Sequence, residues 1–442
     1  MKSRRVLITG ILWALFLAGR AQAGEIPGKV QDHPIALVDG TIHTISGATI
    51  EHGTILFEKG KIVAVGAGVT LPPGTERISV AGKQVYPGLI DARSTVGLME
   101  IESVRATVDV TETGEMNPDI RAEVAFNPES EVIPVTRANG ITTTAIFPGG
   151  GILSGAAAVM NLDGWTWEEM TVKSRAGMVL NWPAMETGRR WWDQRTEEEQ
   201  KKAQDKEFTD LDEFIANARA YRAARAAADA GKAPAPRTDL HLEAMIPVFD
   251  RTEPVLIDAG DLRQIESAVA WAEREHLRMI LVGGYDAWRV PQLLKDHDIP
   301  VILNPVYDLP RRAWEPYDLC YTLASRLRDA GVRFCITGDG GASNERNLPY
   351  HAAAAAAYGL PHDDALKAIT LAPAQILGVD DRLGSLDPGK DATIIVTNGD
   401  PLVISTNVEM EYIQGRQVSL ESRHTRLYEK YREKYRRLGI MK

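Results

Sequence analysis

The chain has 442 residues, 44% of them hydrophobic and 25% charged, with a formal net charge of −10. That length accommodates one large domain and a smaller one, and the composition is ordinary for a globular protein. The acidic balance argues against nucleic acid as the main partner, because phosphate binding needs a basic surface.

Residues 1–23 read as a secretory signal peptide. Lys2, Arg4 and Arg5 form a basic segment, "VLITGILWALFLAG" an apolar one, and "AQA" at 21–23 a small-residue cleavage site, with cleavage expected after Ala23. The apolar run is shorter than the ~20 residues a membrane span requires. No later segment is long and apolar enough to span either. The mature protein is therefore expected without a membrane span, in the periplasm or secreted.

Residues 33–86 alternate β-favouring runs with "DG", "SG", "HG" and "KG" breaks, the pattern of short strands joined by tight turns. From 87 the pattern changes. "VYPGLIDA", "GITTTAIF", "PVLIDA", "RMILVG", "PVILNP" and "VRFCITG" are short, continuous apolar runs. Helical patterns separate the later ones: "DLRQIESAVAWAEREH" sets Leu262, Ile265, Val269 and Ala272 at helical spacing. Buried strands alternating with amphipathic helices predict an α/β fold, here a (β/α)8 barrel over about 87–379. "FPGGGILSG" at 147–155 lacks the Lys and Ser/Thr of a phosphate loop and reads as a glycine turn. The stretch at about 188–232 is charged and alanine-rich, and predicts a long exposed helical insertion before the fifth barrel strand. Cys320 and Cys335 are the only cysteines and are read as buried thiols, with a disulfide as the alternative. Residues 380–420 return to β character, and with 24–86 they predict a small composite β-sandwich built from both chain ends. The tail, 421–442, reads as a basic helix with Leu427, Tyr428, Tyr431 and Tyr435 on one side. It is expected to pack on a partner subunit or its own barrel rather than on a membrane.

"VYPGLIDA", "ANGITTTAIFPGGGILSGAAAVMNLDG", "TGDGGASNERNLPYHAAAAAAYGLPHDDALKAIT" and "LGSLDPGKDATIIVTNGDPL" occur in an order and spacing that resemble the amidohydrolase superfamily, in its secreted imidazolonepropionase-like branch. The resemblance implies a (β/α)8 barrel with a small β-sandwich, and hydrolysis of amide or related C–N bonds by one or two metal ions, often zinc. It places a His-x-His pair at the end of strand one, where this chain has Arg93 and Thr95. It places histidines at the ends of strands five and six, where this chain has Asp258 and Gly283, and an aspartate after strand eight, where Asp339 remains. None of the nine histidines stands at a ligand spacing, so no zinc site of the family type is expected.

Arg93, Asp258 and Asp339 are the candidate catalytic residues, expected at the barrel mouth as a buried cluster in which the guanidinium takes the electrostatic place of the metal. Thr95, Gly283, Tyr285 and Asn304 are the expected pocket residues. The functional expectation is a homologue of the cell envelope with lost or altered metal catalysis and no cofactor. It would bind a small molecule, or act as a subunit in a homo-oligomer or a heteromer with an active relative. The alternative is an amide hydrolase with a rearranged site using Asp339, Asp258 and Arg93.

Overall fold

A computed structural model of the chain describes residues 25–188, 193–338 and 340–441. The expected signal peptide and Asp339 lie outside the described residues.

The N-terminal strands are β1 (Ile35–Ile42), β2 (Ile50–Glu58), β3 (Lys61–Gly66), β4 (Glu76–Ser79) and β5 (Gln84–Pro87). They are followed by β6 (Leu89–Ser94), β7 (Ile141–Ile146), β8 (Leu153–Asn161), β9 (Thr171–Asn181), β10 (Val255–Ala259), β11 (Met279–Gly283), β12 (Val301–Leu303) and β13 (Phe334–Ile336). The chain closes with β14 (Ile394–Thr397), β15 (Val408–Ile413) and β16 (Arg416–Gln417).

Strands from the two chain ends share one sheet, ordered β16-β15-β14-β5-β1-β2-β3, with β4 alongside β1. Its core is Leu37, Ile55, Phe57, Ile62, Val85, Ile394, Val396 and Tyr412. The "DG" break in β1 is a bulge: Asp39 takes φ 67°, and the register with β2 shifts between Val38 and Gly40.

The second sheet runs β6 to β13 in chain order and forms the barrel wall. Ile90, Ala145, Val159, Val179, Leu256, Ile280, Val282, Ile302 and Cys335 fill its interior. Side chains of opposite parity meet the helices outside, as strand alternation requires. Helix Leu262–Arg274 buries Ile265, Val269 and Ala272 there, following the spacing in its sequence.

The α/β barrel stands, with one difference. β8 runs antiparallel to both β7 and β9. The links at 147–152 and 162–170 are too short for a crossover helix, so the chain must double back as hairpins. The "FPGGGILSG" turn lies in the first link. A Cβ on Gly151 would lie 2.7 Å from Gly114 O, which is why the backbone there is glycine.

The insertion is helix Glu197–Asp229, opened by a Thr196/Glu199 capping box. It is not wholly solvated, as composition suggested. Leu211, Ile215, Ala218 and Tyr221 are buried at helical spacing, and Arg219 pairs with Glu275 on the barrel at 3.1 Å. Cys320 and Cys335 are free and buried. The tail helix, Arg423–Arg437, buries no residue and does not pack its tyrosines on its own barrel.

Gly88 links the two sheets: its N–H donates to Thr393 O at 3.0 Å. A Cβ at this position would sit 2.1 Å from Thr142 Oγ1. Gly88→Ala should destabilise the protein by about 1–3 kcal/mol in denaturant unfolding. Gly68→Ala, where a Cβ meets nothing within 4 Å, should leave the midpoint unchanged.

Candidate functional site

The barrel sheet is closed without a ladder between its end strands. Ile90 N–H donates to Ile369 O at 2.8 Å and Ile336 N–H to Ala368 O at 3.0 Å, so one turn bridges the gap lower down. At the mouth Asp91 does so. Its Oδ1 accepts the Arg93 N–H at 2.9 Å, and its Oδ2 accepts the Gly338 N–H at 2.6 Å. A Cβ at 338 would itself fall 2.6 Å from that oxygen, so glycine is required for the contact.

Asp91 is fully buried and lies against Glu345, also fully buried. Thr144 Oγ1 donates to Glu345 Oε1 at 3.2 Å. Burial pushes the Asp91 carboxyl up to about 6, against the opposing pull of the Arg93 and Gly338 N–H groups. Burial, then the charge of Asp91, pushes Glu345 well above the usual carboxylate range. Two carboxyls this close in a dry setting hold a proton between them.

Arg93 projects into a cavity of about 640 Å³ at the C-terminal end of the barrel strands. Its Nη2 donates to Asp258 Oδ2 at 2.7 Å and its Nη1 to Asn304 Oδ1 at 3.3 Å. The pair is not the buried cluster expected: the side chains are 33% and 34% exposed. The second arm of the guanidinium goes to an amide oxygen rather than to another described carboxylate.

Thr95 and Asn304 line the cavity as expected. Gly283 ends β11 beneath the pair at φ 89°. A Cβ there would stand 3.1 Å from Asp258 Oδ1 and 3.6 Å from Asn304 Oδ1. Tyr285 is a correction. It is buried and does not line the cavity. Its hydroxyl donates to Glu315 Oε2 at 2.5 Å and accepts the Arg311 N–H at 2.9 Å. Burial pushes Glu315 up, but the Tyr285 hydroxyl and the Arg312 donors outweigh it and hold the carboxyl below its ordinary value. Arg312 then ties this loop to Asp286 at 2.6 Å and Asp261 at 3.2 Å. Tyr285 therefore fixes the 305–316 loop over the mouth instead of meeting a ligand.

Sequence reasoning missed Arg311, Asn181 and Asp308, which also line the cavity. The Arg311 guanidinium stacks on the Tyr285 ring at 4.4 Å and stands 4.0 Å from Asp261. Asn181 ends β9, a strand-end position that alternation alone could have marked. Arg311 lies in a loop, and no pattern in the sequence points it inward. His351 is buried, and its Nδ1 accepts the Val306 N–H at 3.2 Å.

A cation between Arg93 and Asp258 would have to displace the guanidinium. Among the described residues, no group of three or more His, Cys, Asp or Glu converges as a metal would need. Among the described residues, which do not include Asp339, the donors at the mouth do not make up the ligand set of a divalent metal of the zinc type. Two guanidiniums, Arg93 and Arg311, reach one cavity, and the carboxylates Asp258 and Asp308 line it with them.

The family model described as amidohydrolase family matches residues 320–419. The amidohydrolase tasK of Hapsidospora irregularis is 23% identical over 404 residues, 82% of this chain, and the chain spans 39% of that curated relative's length. The crystal structure of the amidohydrolase from Thermotoga maritima MSB8 superposes with TM-score 0.78 and 27% identity, over 87% of this chain and 99% of that one. A prolidase complexed with N-methylphosphonate-L-proline superposes with TM-score 0.54 at 16% identity, over 87% of this chain and 99% of that one, a likeness of fold alone.

The Asp91–Glu345 pair makes stability depend on pH. Both folded values lie above the ordinary ones of 3.8 and 4.5. The stability the pair contributes is complete below those values and is lost as pH rises through the folded ones. The thermal midpoint should fall as pH rises above the ordinary carboxylate values and through about 6. Glu345→Gln, which needs no proton, should flatten that fall. An unchanged slope in the variant would remove the pair as its source.

Proposed function

We propose that the chain is a member of the amidohydrolase superfamily in which an arginine–aspartate pair has taken the place of the catalytic metal. The protein then binds a small anionic molecule at the barrel mouth and does not hydrolyse amides through metal-bound water. The observation that carries this reading is the 2.7 Å contact of Arg93 Nη2 with Asp258 Oδ2.

In the superfamily a metal polarises the carbonyl and lowers the pKa of bound water to about 7. Arg93 does neither. A guanidinium stays protonated and offers fixed N–H donors to a planar carboxylate. With Arg311 on the opposite loop, it can hold such a group at two points. Asn304 and Thr95 supply neutral polar contacts beside it. The basic and apolar pattern of residues 1–23 supports a site of action in the cell envelope. The pattern of lost ligands within a retained frame supports a binding or partner-subunit role.

Metal content of the exported protein, measured by mass spectrometry before and after zinc or manganese loading, tests the reading. No metal above background is expected. Stoichiometric, tightly held metal would overturn it and favour the rearranged hydrolase, with Asp258 and Asp339 as first ligands to mutate. Arg93→Ala should cost about 1–2 kcal/mol, less than for a buried pair because both partners are partly solvated. A loss near zero would mean the pair holds nothing together.

Small dicarboxylates such as succinate should raise the thermal midpoint of the wild type by mass action. They should do so less for Arg93→Ala and for Arg311→Ala. Equal shifts in all three proteins would take the arginines out of the binding site.

A further inference from the structure

The tail helix Arg423–Arg437 carries an apolar face that nothing in the structure covers. At about 100° per residue, Leu427, Tyr428, Tyr431, Tyr435 and Leu438 fall within one arc about 100° wide. All five are exposed, Tyr428 at 60% and Leu438 at 61%. Ile440 and Met441 extend the exposed apolar surface beyond the helix. The helix meets the body of the protein through Arg426, which pairs with Glu131 at 3.2 Å. On a helical projection Arg426 lies about 150° from the centre of the arc, so the arc faces away from the barrel.

The charges on this helix are sorted around the arc. It holds seven Lys and Arg against two Glu, in a chain whose overall balance is −10. Glu429 and Glu433 lie on the side opposite the arc, and each pairs within the helix: Glu429 with Arg432, and Glu433 with Arg436 and Arg437. Arg423, Lys430 and Lys434 lie beside the arc, and none has an ion-pair partner among the described residues. Lys430 and Lys434 stand 5.8 Å from the Tyr431 ring, and Arg432 stands 5.6 Å from the Tyr428 ring.

From this arrangement we propose that the tail helix is a docking surface for an anionic lipid bilayer, lying in the interface with its tyrosines and leucines inserted and its flanking cations on the headgroups. The physics selects a bilayer over a second copy of the chain. A narrow, aromatic apolar arc, low overall hydrophobicity and unpaired cations along the arc describe a helix that rests at a membrane surface. Tyrosine, apolar at one end and polar at the other, suits the headgroup boundary. A helical dimer seam would instead bring these unpaired cations face to face. The helix does not span: no described helix is long and apolar enough to cross a membrane.

The test is co-sedimentation of the exported, processed protein with vesicles of phosphatidylcholine mixed with phosphatidylglycerol, and with phosphatidylcholine alone. Binding is expected to the first and not the second, and to weaken at high salt. The triple charge reversal Arg423→Glu, Lys430→Glu, Lys434→Glu should weaken it by about tenfold or more. Tyr431→Ser should weaken it as well, with an unchanged thermal midpoint in both variants because the helix buries nothing. Three results would each overturn the proposal: no binding to the anionic vesicles, binding that survives the charge reversal, or a dimer in sedimentation equilibrium that Tyr431→Ser abolishes.

Discussion

The mouth of the barrel depends on the Asp91 carboxylate. Among the described residues the end strands Leu89–Ser94 and Phe334–Ile336 share no ladder, and above the 368–369 turn a side chain joins them. That side chain is Asp91, which accepts an N–H from each side, from Arg93 and from Gly338. The same two bonds set the backbone from which Arg93 reaches the cavity. Closure of the barrel and placement of the candidate site are thus a single event. The cost is a carboxylate in a dry interior, and the neighbouring Glu345 reduces it by keeping a proton that a solvated carboxyl would release.

At the mouth, the residues where the family resemblance places metal ligands contact one another. Arg93 donates to Asp258, whose charge would otherwise stand uncompensated in the cavity. Its remaining arm reaches Asn304, an acceptor two strands further on. Gly283 leaves room beneath the pair. A histidine at that position would bring a Cβ within 3.1 Å of Asp258 Oδ1 and strain a backbone held at φ 89°. The result is a cavity in which Arg93, Asp258 and Asn304 hold one another in place at the ends of the barrel strands.

The loop above the site shows how indirectly such a cavity is shaped. Tyr285 meets no ligand space, yet its hydroxyl and Glu315 together hold the Arg311 peptide, and its ring supports the Arg311 guanidinium. Arg312, one residue on, turns the other way and pins the loop to Asp261 and Asp286. Adjacent arginines therefore do different work. One presents a charge to the cavity and the other fixes the loop that presents it.

Alternating apolar runs and amphipathic helices, together with the ordered motifs from "VYPGLIDA" to "LGSLDPGKDATIIVTNGDPL", were sufficient to read a barrel and a sheet shared by both chain ends. The resemblance put Arg93 and Asp258 at strand ends, and strand ends in a barrel converge at one mouth whatever the loops do. Three things needed the folded chain. The reversed direction of Leu153–Asn161 follows from link length, which periodicity does not register. The inward course of Arg311 and the burial of Tyr285 follow from hydrogen bonds between residues 26 and 30 positions apart. The exposure of the Arg423–Arg437 face follows from which surface Arg426 takes on the barrel. Local pattern determines what an element is and which way its side chains alternate; only long-range contact decides which of them meet water, a ligand or one another.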